Sequence, residues 1–143
     1  MAHPQMFDDE DPFLARLREI ALALPDADMK VSHGVPAFFT KKVFAYYGAS
    51  VKVDGEWVRH ERCVSVLLDP GEREAMLADE RTFVPAYLGP SDWISVDLVH
   101  DDNGTVDDVD WDEIAELLDA SYRMTAGPRR VAALDAGRLP GRG

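Results

Sequence analysis

The stretch that decides the fold of this chain is residues 32–48, SHGVPAFFTKKVFAYYG. Pro36 pushes the residue before it towards an extended conformation, and residues 37–40 are aromatic and β-branched, as is typical of a strand. Lys41–Lys42 separates this run from a second apolar run at residues 43–47. The stretch therefore predicts two short strands joined by a tight turn.

Further strands are predicted on its carboxyl side. The dipeptide Asp54–Gly55 lies between two alternating runs, and this is among the strongest signals for a two-residue hairpin turn. Residues 63–68 form a nearly continuous apolar run, which predicts a central buried strand. Residues 93–98 alternate between polar and apolar side chains and predict a half-buried strand.

Three helices are predicted around these strands. The first follows the capping residue Asp11, the second runs over about residues 70–78, and the third follows the capping residue Asp110. The side chains expected to face the core are Ala75, Met76 and Leu77 of the second helix and Ile114, Leu117, Leu118 and Ser121 of the third. Hairpin-linked strands with flanking helices predict an α+β fold, with the helices packed on one face of an antiparallel sheet.

The length of the chain fits one such domain, which we expect to span residues 1–126. Gly127 and Pro128 should end the third helix. Residues 127–143 are predicted to be a mobile, arginine-bearing tail with at most one weak helical turn.

The chain is acidic, with a formal net charge of −12, and the charge is unevenly distributed. Residues 63–122 carry −14, whereas residues 41–62 carry +2 and residues 123–143 carry +4. An acidic body repels the phosphates of nucleic acids. Any contact with a polyanion should therefore use residues 41–62 and the tail.

A cytoplasmic location is expected. Cys63 is the only cysteine, which excludes an internal disulfide framework and suits a reducing compartment. The acidic first residues lack the apolar run of a secretory signal. No apolar run approaches the ~20 residues that a membrane-spanning helix needs.

Five motifs in order carry a resemblance to a known family: LALPDADMKVSHGVPAFF at residues 22–39, KVFAYYG at 42–48, SVLLDPGEREAML at 65–77, DWISVDL at 92–98 and WDEIAELLDASYRMTA at 111–126. The set resembles the MmcQ/YjbR family of small bacterial proteins. The resemblance implies a compact α+β domain similar to the frataxin-like, or CyaY-like, fold. The family is commonly labelled as predicted DNA-binding, with a double-wing motif. This chain departs from the family pattern in a longer charged hairpin between Gly48 and Cys63, and in its tail.

No catalytic constellation is recognised. Ser32 and His33 are neighbours, and adjacent residues of an extended chain point to opposite faces, so they are poorly placed to act as nucleophile and base. One alternative remains open, a small-molecule or enzymatic pocket. The residues that would form it are Ser32, His33, Tyr87 and Trp93.

No metal or cofactor is expected. The four histidines are scattered, without the spacing of a zinc site. The acidic loop 101–110 does not match a calcium loop, because aligning Gly104 to the loop glycine puts Val99 at the first ligand position. A frataxin-like fold suggests iron on an acidic ridge, but likeness of fold does not transfer function.

The leading hypothesis is a non-enzymatic binding or interaction domain, with a protein partner or a second copy of the chain. Exposed aromatic and basic side chains between residues 38 and 62 are the predicted surface. The residues predicted to bind are Lys41, Lys42, Tyr46, Lys52, Trp57, Arg59 and Arg62. The first alternative is a DNA-binding protein that uses these basic residues and the tail.

Overall fold

The computed structural model describes residues 7–86, 88–101 and 103–137. Its helices are α1 (Pro12–Leu22), α2 (Pro70–Leu77), α3 (Trp111–Thr125) and α4 (Pro128–Gly137), and its strands are β1 (Asp28–Ser32), β2 (Val35–Phe39), β3 (Val43–Val53), β4 (Glu56–Leu67), β5 (Thr82–Phe83) and β6 (Trp93–Asp97). Short 3₁₀ turns occupy Gly89–Ser91 and Val106–Asp108.

The strands form one sheet in the order β1-β2-β3-β4-β6-β5, and every neighbouring pair is antiparallel. The predicted α+β class is therefore confirmed. β1 is an edge strand whose side chains are mostly exposed, so its own sequence carries little hydrophobic signal. Its pairing with β2 along all five residues makes it a strand.

Two tight turns connect the first four strands. The central residues of the β1–β2 turn, His33 and Gly34, have φ of 52° and 84°, and those of the β3–β4 turn, Asp54 and Gly55, have φ of 52° and 83°. Two successive positive φ angles define a type I′ turn, which matches the twist of the flanking strands. The Asp-Gly hairpin turn predicted from sequence is confirmed.

β3 and β4 are longer than the predicted segments because each joins two of them. The register is interrupted between the pairs Tyr47↔Val64 and Ala49↔His60, so β4 holds two more residues than β3 in this interval. Gly48 lies at the interruption with φ of 94°, which side chains with a Cβ rarely adopt. The irregularity divides the hairpin into a half within the sheet and a distal half.

The main core lies between the sheet and two helices. α3 contacts β3 and β4, and α1 contacts α3. The rings of Phe44 and Tyr122 meet edge to face at 5.4 Å. The predicted inner stripe of α3 is confirmed, since all four of its members are buried. Helix packing on this face follows the expected arrangement.

The opposite face of the sheet is also covered near β6. Tyr46 pairs with Ser65, and Ser65 pairs with Ser95. Both serines are fully buried, with their hydroxyl oxygens 2.6 Å apart. The ring of Trp93 packs against that of Tyr46 at 5.3 Å. The prediction of a half-buried strand at residues 93–98 was wrong, because both faces of β6 lie under other groups.

α2 contributes less to the core than its sequence indicates. Met76 is partly buried against the core, as predicted, but Ala75 and Leu77 are exposed and α2 has no fully buried residue. The physical reason is position: α2 contacts β5, at the edge of the sheet.

Residues 128–137 differ from the predicted tail. They form the ten-residue helix α4, which buries Leu134 against the core. Arg130 donates to Asp26 at 3.1 Å, and Arg123 of α3 donates to Asp135 at 2.7 Å. These contacts hold α4 against the domain and stabilise it as a helix, whereas the sequence predicted at most one weak helical turn here. Residues 138–143 of the predicted tail lie outside the described residues.

Candidate functional site

A cleft opens beside the tip of the β3–β4 hairpin, and we call it the hairpin-tip cleft. Its volume is about 660 Å³. It is lined by Val51, Lys52, Trp57, Val84, Pro85, Ala86, Gly89 and Pro90. One wall is therefore the distal half of the hairpin, and the other is the loop between β5 and β6.

Backbone contacts hold these two walls together. The N–H of Ala86 donates to the carbonyl of Ser50 at 3.0 Å, which fixes the loop to the outer edge of β3. The loop is closed on itself by a bond from the Gly89 N–H to the Pro85 carbonyl at 2.9 Å. A Cβ at Gly89 would lie 2.5 Å from Cγ1 of Val84, so glycine is what allows Val84 to pack here.

The lining of the cleft is mostly apolar. Of its side chains, Trp57 is 55% exposed and Val84 is 43% exposed. Lys52 lies across the hairpin from Trp57, with its Nζ 5.7 Å from the ring centroid. Contiguous exposed apolar groups with a polar rim are typical of a binding surface.

The predicted basic residues do not form one patch. Lys41 and Lys42 precede β3, whereas Lys52 lies near its end, about 30 Å away along the strand at ~3.3 Å per residue. The guanidinium of Arg62 lies over the ring of Phe13 on α1, at 4.6 Å from its centroid.

Arg59 and Tyr46 occupy more interior positions. The Arg59 guanidinium approaches Gly48, where an added Cβ would be 2.9 Å from Nη2. Tyr46 is partly buried, and burial raises the pKa of its phenol. Of the seven residues predicted to bind, Lys52 and Trp57 line the cleft, and Arg59, which pairs with Ser50, lies two residues from Trp57 on the same face of the hairpin. The other four lie elsewhere.

The predicted pocket residues are also separated. Ser32 and His33 lie at the β1–β2 turn, and Trp93 begins β6. β2, β3 and β4 stand between them, which corresponds to about 19 Å across the sheet at ~4.8 Å per strand. Tyr87 lies outside the described residues. The described members of this set do not share one pocket.

A polar pair that sequence reasoning missed lies between β4 and β6. Nδ1 of His60 is 2.9 Å from the carboxylate of Asp97, and the imidazole stacks on Phe83 of β5 with ring centroids 4.0 Å apart. These residues are far apart in the chain and match no motif. Only the order of the strands brings them together.

Cys63 lies close to this pair but is not aimed at it. Its thiol donates to the main-chain carbonyl of His60 at 3.4 Å, not to the imidazole. The side chain is fully buried, and burial, aided by the negative charge of Asp97, raises the pKa of the thiol well above its usual range. A thiol in this state is a poor nucleophile.

Within residues 7–86, 88–101 and 103–137, no cluster of three or more histidine, cysteine and carboxylate side chains is arranged to hold a metal ion. Among the same residues, no helix has both the length and the apolar character needed to cross a membrane.

Comparison with known proteins places this geometry in a family context. The family model described as YjbR matches residues 22–124, which include all six strands and nearly all of α3. The matched range contains the hairpin-tip cleft and ends before α4. No curated protein matches the chain.

Proposed function

The chain belongs to the YjbR family, and we propose that it is a non-enzymatic binding domain whose partner surface is the hairpin-tip cleft. The observation that carries the proposal is Trp57, which is more than half exposed beside an apolar cleft. Tryptophan in such a position is a frequent anchor of protein interfaces, where it loses its contact with water on binding.

The chemistry near the cleft supports binding over catalysis. Cys63, His60 and Asp97 are a cysteine, a histidine and a carboxylate close together, but the thiol is buried and bonded to a main-chain carbonyl. A catalytic thiol needs an accessible sulfur and a lowered pKa. Because Cys63 is a free, buried thiol, a reducing compartment such as the cytoplasm is part of the proposal.

DNA binding is less well supported by the arrangement of charges. Phosphate contacts supply much of the affinity of DNA-binding proteins, and they need cations on one face. Lys41 and Lys42 are far from Lys52, and Arg130 of α4 is engaged by Asp26. The net charge of −12 adds a general repulsion.

Site-specific photocrosslinking in the native host tests the proposal. A photoreactive residue at Val84, which lines the cleft, should give a discrete adduct, and one at Glu116 on the helical face should not. The protein identified in the adduct is then purified and titrated. Trp57→Ala should weaken its binding about 10- to 30-fold, as expected for a central anchor. Val31→Ala, which removes an exposed apolar side chain that does not line the cleft, should leave it unchanged.

The DNA alternative is titrated in parallel with random duplex DNA at about 20 mM salt, where the electrostatic attraction should be strongest. DNA binding that falls steeply with salt and is lost in the Lys41→Ala/Lys42→Ala double variant would show that the protein is a DNA-binding protein and would contradict our proposal. If Trp57→Ala does not change the affinity for the crosslinked partner, the cleft is not the partner surface.

A further inference from the structure

The outer edge of β3 is only partly covered by β2. The register between these strands ends at the pair Ala37↔Tyr46. Over Ser50–Val53, β3 pairs with β4 on one side, and no described strand pairs with it on the other. One position of this free edge is taken by the loop, through the bond from the Ala86 N–H to the Ser50 carbonyl.

The turn at the hairpin tip determines which backbone groups face that edge. In a two-residue hairpin the flanking residues, here Val53 and Glu56, exchange hydrogen bonds, and bonded and non-bonded pairs then alternate. Ser50 and Lys52 therefore stand in non-bonded pairs, with their N–H and C=O groups directed away from β4. The loop contact at the Ser50 carbonyl agrees with this alternation. The backbone of Lys52 thus offers the next donor and acceptor along the edge.

These backbone groups lie beside the apolar wall of the cleft. Lys52, Trp57 and Val84 all line it. An extended peptide segment bound along the outer edge of β3 would form hydrogen bonds with the backbone of Lys52. It would lie next to Ala86 of the loop, which occupies the preceding position of the same edge. Its alternate side chains would then meet Trp57 and Val84, because side chains of a strand alternate between its two faces. Main-chain pairing plus side-chain pockets is the combination used in strand addition.

We propose that the cleft binds an extended, basic peptide segment of a partner protein, with apolar residues at alternate positions, as an added strand at Lys52. The inference rests on the proposed function and names its partner class. Charge decides the composition of the segment. Asp54, Glu56 and Asp92 lie within two residues of the cleft lining in the chain, but Lys52 lines the cleft, Arg59 lies two residues from Trp57, and Arg73 donates to the Asp92 carbonyl. These local charges balance, so the net charge of the protein, −12, sets the sign. A basic segment is attracted by this field at long range.

The same charges disfavour a second copy as the occupant. Edge-to-edge pairing of two copies about a two-fold axis would bring Lys52 close to Lys52 and two chains of charge −12 together. A lysine on an edge strand is also a known guard against unspecific pairing. The Lys52 side chain is therefore expected to limit which segments bind, while its backbone makes the bonds.

Two substitutions at one position separate the backbone from the side chain. Lys52→Pro removes the outward N–H, and the β3–β4 pairing should survive because that N–H makes no bond to β4. Lys52→Ala removes the charge and keeps the N–H. The probe is an acetylated, amidated peptide of about ten residues in which lysine and valine alternate, with a glutamate–valine peptide as the charge control. Binding is followed by tryptophan fluorescence and amide chemical shifts, and circular dichroism checks the fold of each variant.

We expect the lysine–valine peptide to bind and to shift the amide signals of β3 near Lys52. Lys52→Pro and Trp57→Ala should each weaken binding at least about tenfold, and Lys52→Ala should not weaken it. The glutamate–valine peptide should bind at least about tenfold more weakly.

The outcomes separate the two proposals. If a folded Lys52→Pro variant binds the peptide like the wild type while Trp57→Ala does not, strand addition is wrong and the cleft remains the binding surface. If neither substitution matters, both proposals are wrong. Failure of the peptide to bind at millimolar concentration overturns the basic strand as occupant. The proposal is also wrong if sedimentation shows that the protein is a dimer and that Lys52→Pro abolishes the dimer, because a second copy of the chain would then occupy the edge.

Discussion

The hydroxyl of Ser121 on α3 donates a hydrogen bond to the main-chain carbonyl of Phe44 on β3. The same oxygen accepts the N–H of Leu67 at the end of β4, at 2.9 Å. Phe44 is the unpaired residue at which the register between β2 and β3 shifts. One buried side chain of a helix thus bridges two strands where the regular pairing is broken.

Ser121→Ala should lower the free energy of unfolding by about 1–3 kcal/mol, because it leaves the Phe44 carbonyl and the Leu67 N–H without this partner inside the protein. Urea denaturation measures the change. Ser91→Ala, at an exposed serine, is the matched control and should change stability by less than about 0.5 kcal/mol. Equal effects of the two substitutions would show that the Ser121 bridge adds nothing to stability.

The stability of the protein should fall at alkaline pH through Tyr47. Burial, together with the hydrogen bond from its hydroxyl to Asp11, raises the pKa of Tyr47 well above its ordinary value near 10. The unfolded chain releases this proton near pH 10, and the folded chain keeps it. The contribution of the hydroxyl is therefore fully present below pH 10 and is lost as pH rises above it.

The stability difference between wild type and Tyr47→Phe should accordingly shrink by about 1 kcal/mol between pH 10 and pH 11. Urea denaturation at each pH measures this difference, and absorbance near 295 nm reports which state holds tyrosinate. A difference that stays constant across this range would mean that Tyr47 ionises equally in both states.

A second pH dependence is expected on the acid side. The hydrogen bond from Arg81, at 2.8 Å, lowers the pKa of Asp79 to about 2. The unfolded carboxylate takes up its proton near pH 4, before the folded one does. The stabilisation is therefore present above pH 4 and is lost as the pH falls from about 4 to 2. Because Asp79 is partly exposed, solvent screening keeps its contribution small, at most about 1 kcal/mol.

Asp79→Asn should remove this contribution and keep the turn, since the amide oxygen can still accept the Arg81 N–H. The wild type should be more stable than the variant at pH 5, and the difference should shrink towards pH 2.5 in urea denaturation. Asp107→Asn, at an exposed aspartate, serves as the control. The same pH trend in both variants would refute a specific effect of the Arg81 pair.

Cys63 should react with thiol reagents only after the protein opens. Its thiol is fully buried, and its raised pKa keeps it protonated near pH 8, where a free thiol is partly ionised. The native protein should therefore be labelled at least about 100-fold more slowly than the urea-unfolded protein. A Ser91→Cys variant in a Cys63→Ala background, with its thiol at an exposed position, should react at once. Fast labelling of native wild-type protein would contradict the burial of Cys63.

The elements that the sequence predicted best are those with local causes. Asp110 accepts the N–H of Glu113 and begins α3 as its residue type indicates, and the Asp54–Gly55 turn forms because both positions tolerate positive φ. The periodic apolar residues of α3 likewise fixed the face that it buries. Each of these signals depends on residues a few positions apart.

The elements that it missed depend on distant partners. β1 is extended because β2 lies beside it, and α4 is helical where Leu134 can pack and Arg130 can reach Asp26. Trp57 was a candidate from its residue type and position, but nothing near it in the chain indicated the loop at Val84 that forms the other wall of the cleft.

The sequence by itself determined the β2–β3 and β3–β4 hairpins, the principal helices, the α+β class and the family, because turn chemistry, capping and apolar periodicity act over a few residues. Only the tertiary structure decided which candidate residues meet. The order of the strands separates Ser32 and His33 from Trp93 and puts Lys41 and Lys42 far from Lys52. The folding of the β5–β6 loop onto the edge of β3 creates the cleft beside Trp57, because a main-chain hydrogen bond between residues 50 and 86 holds the loop there.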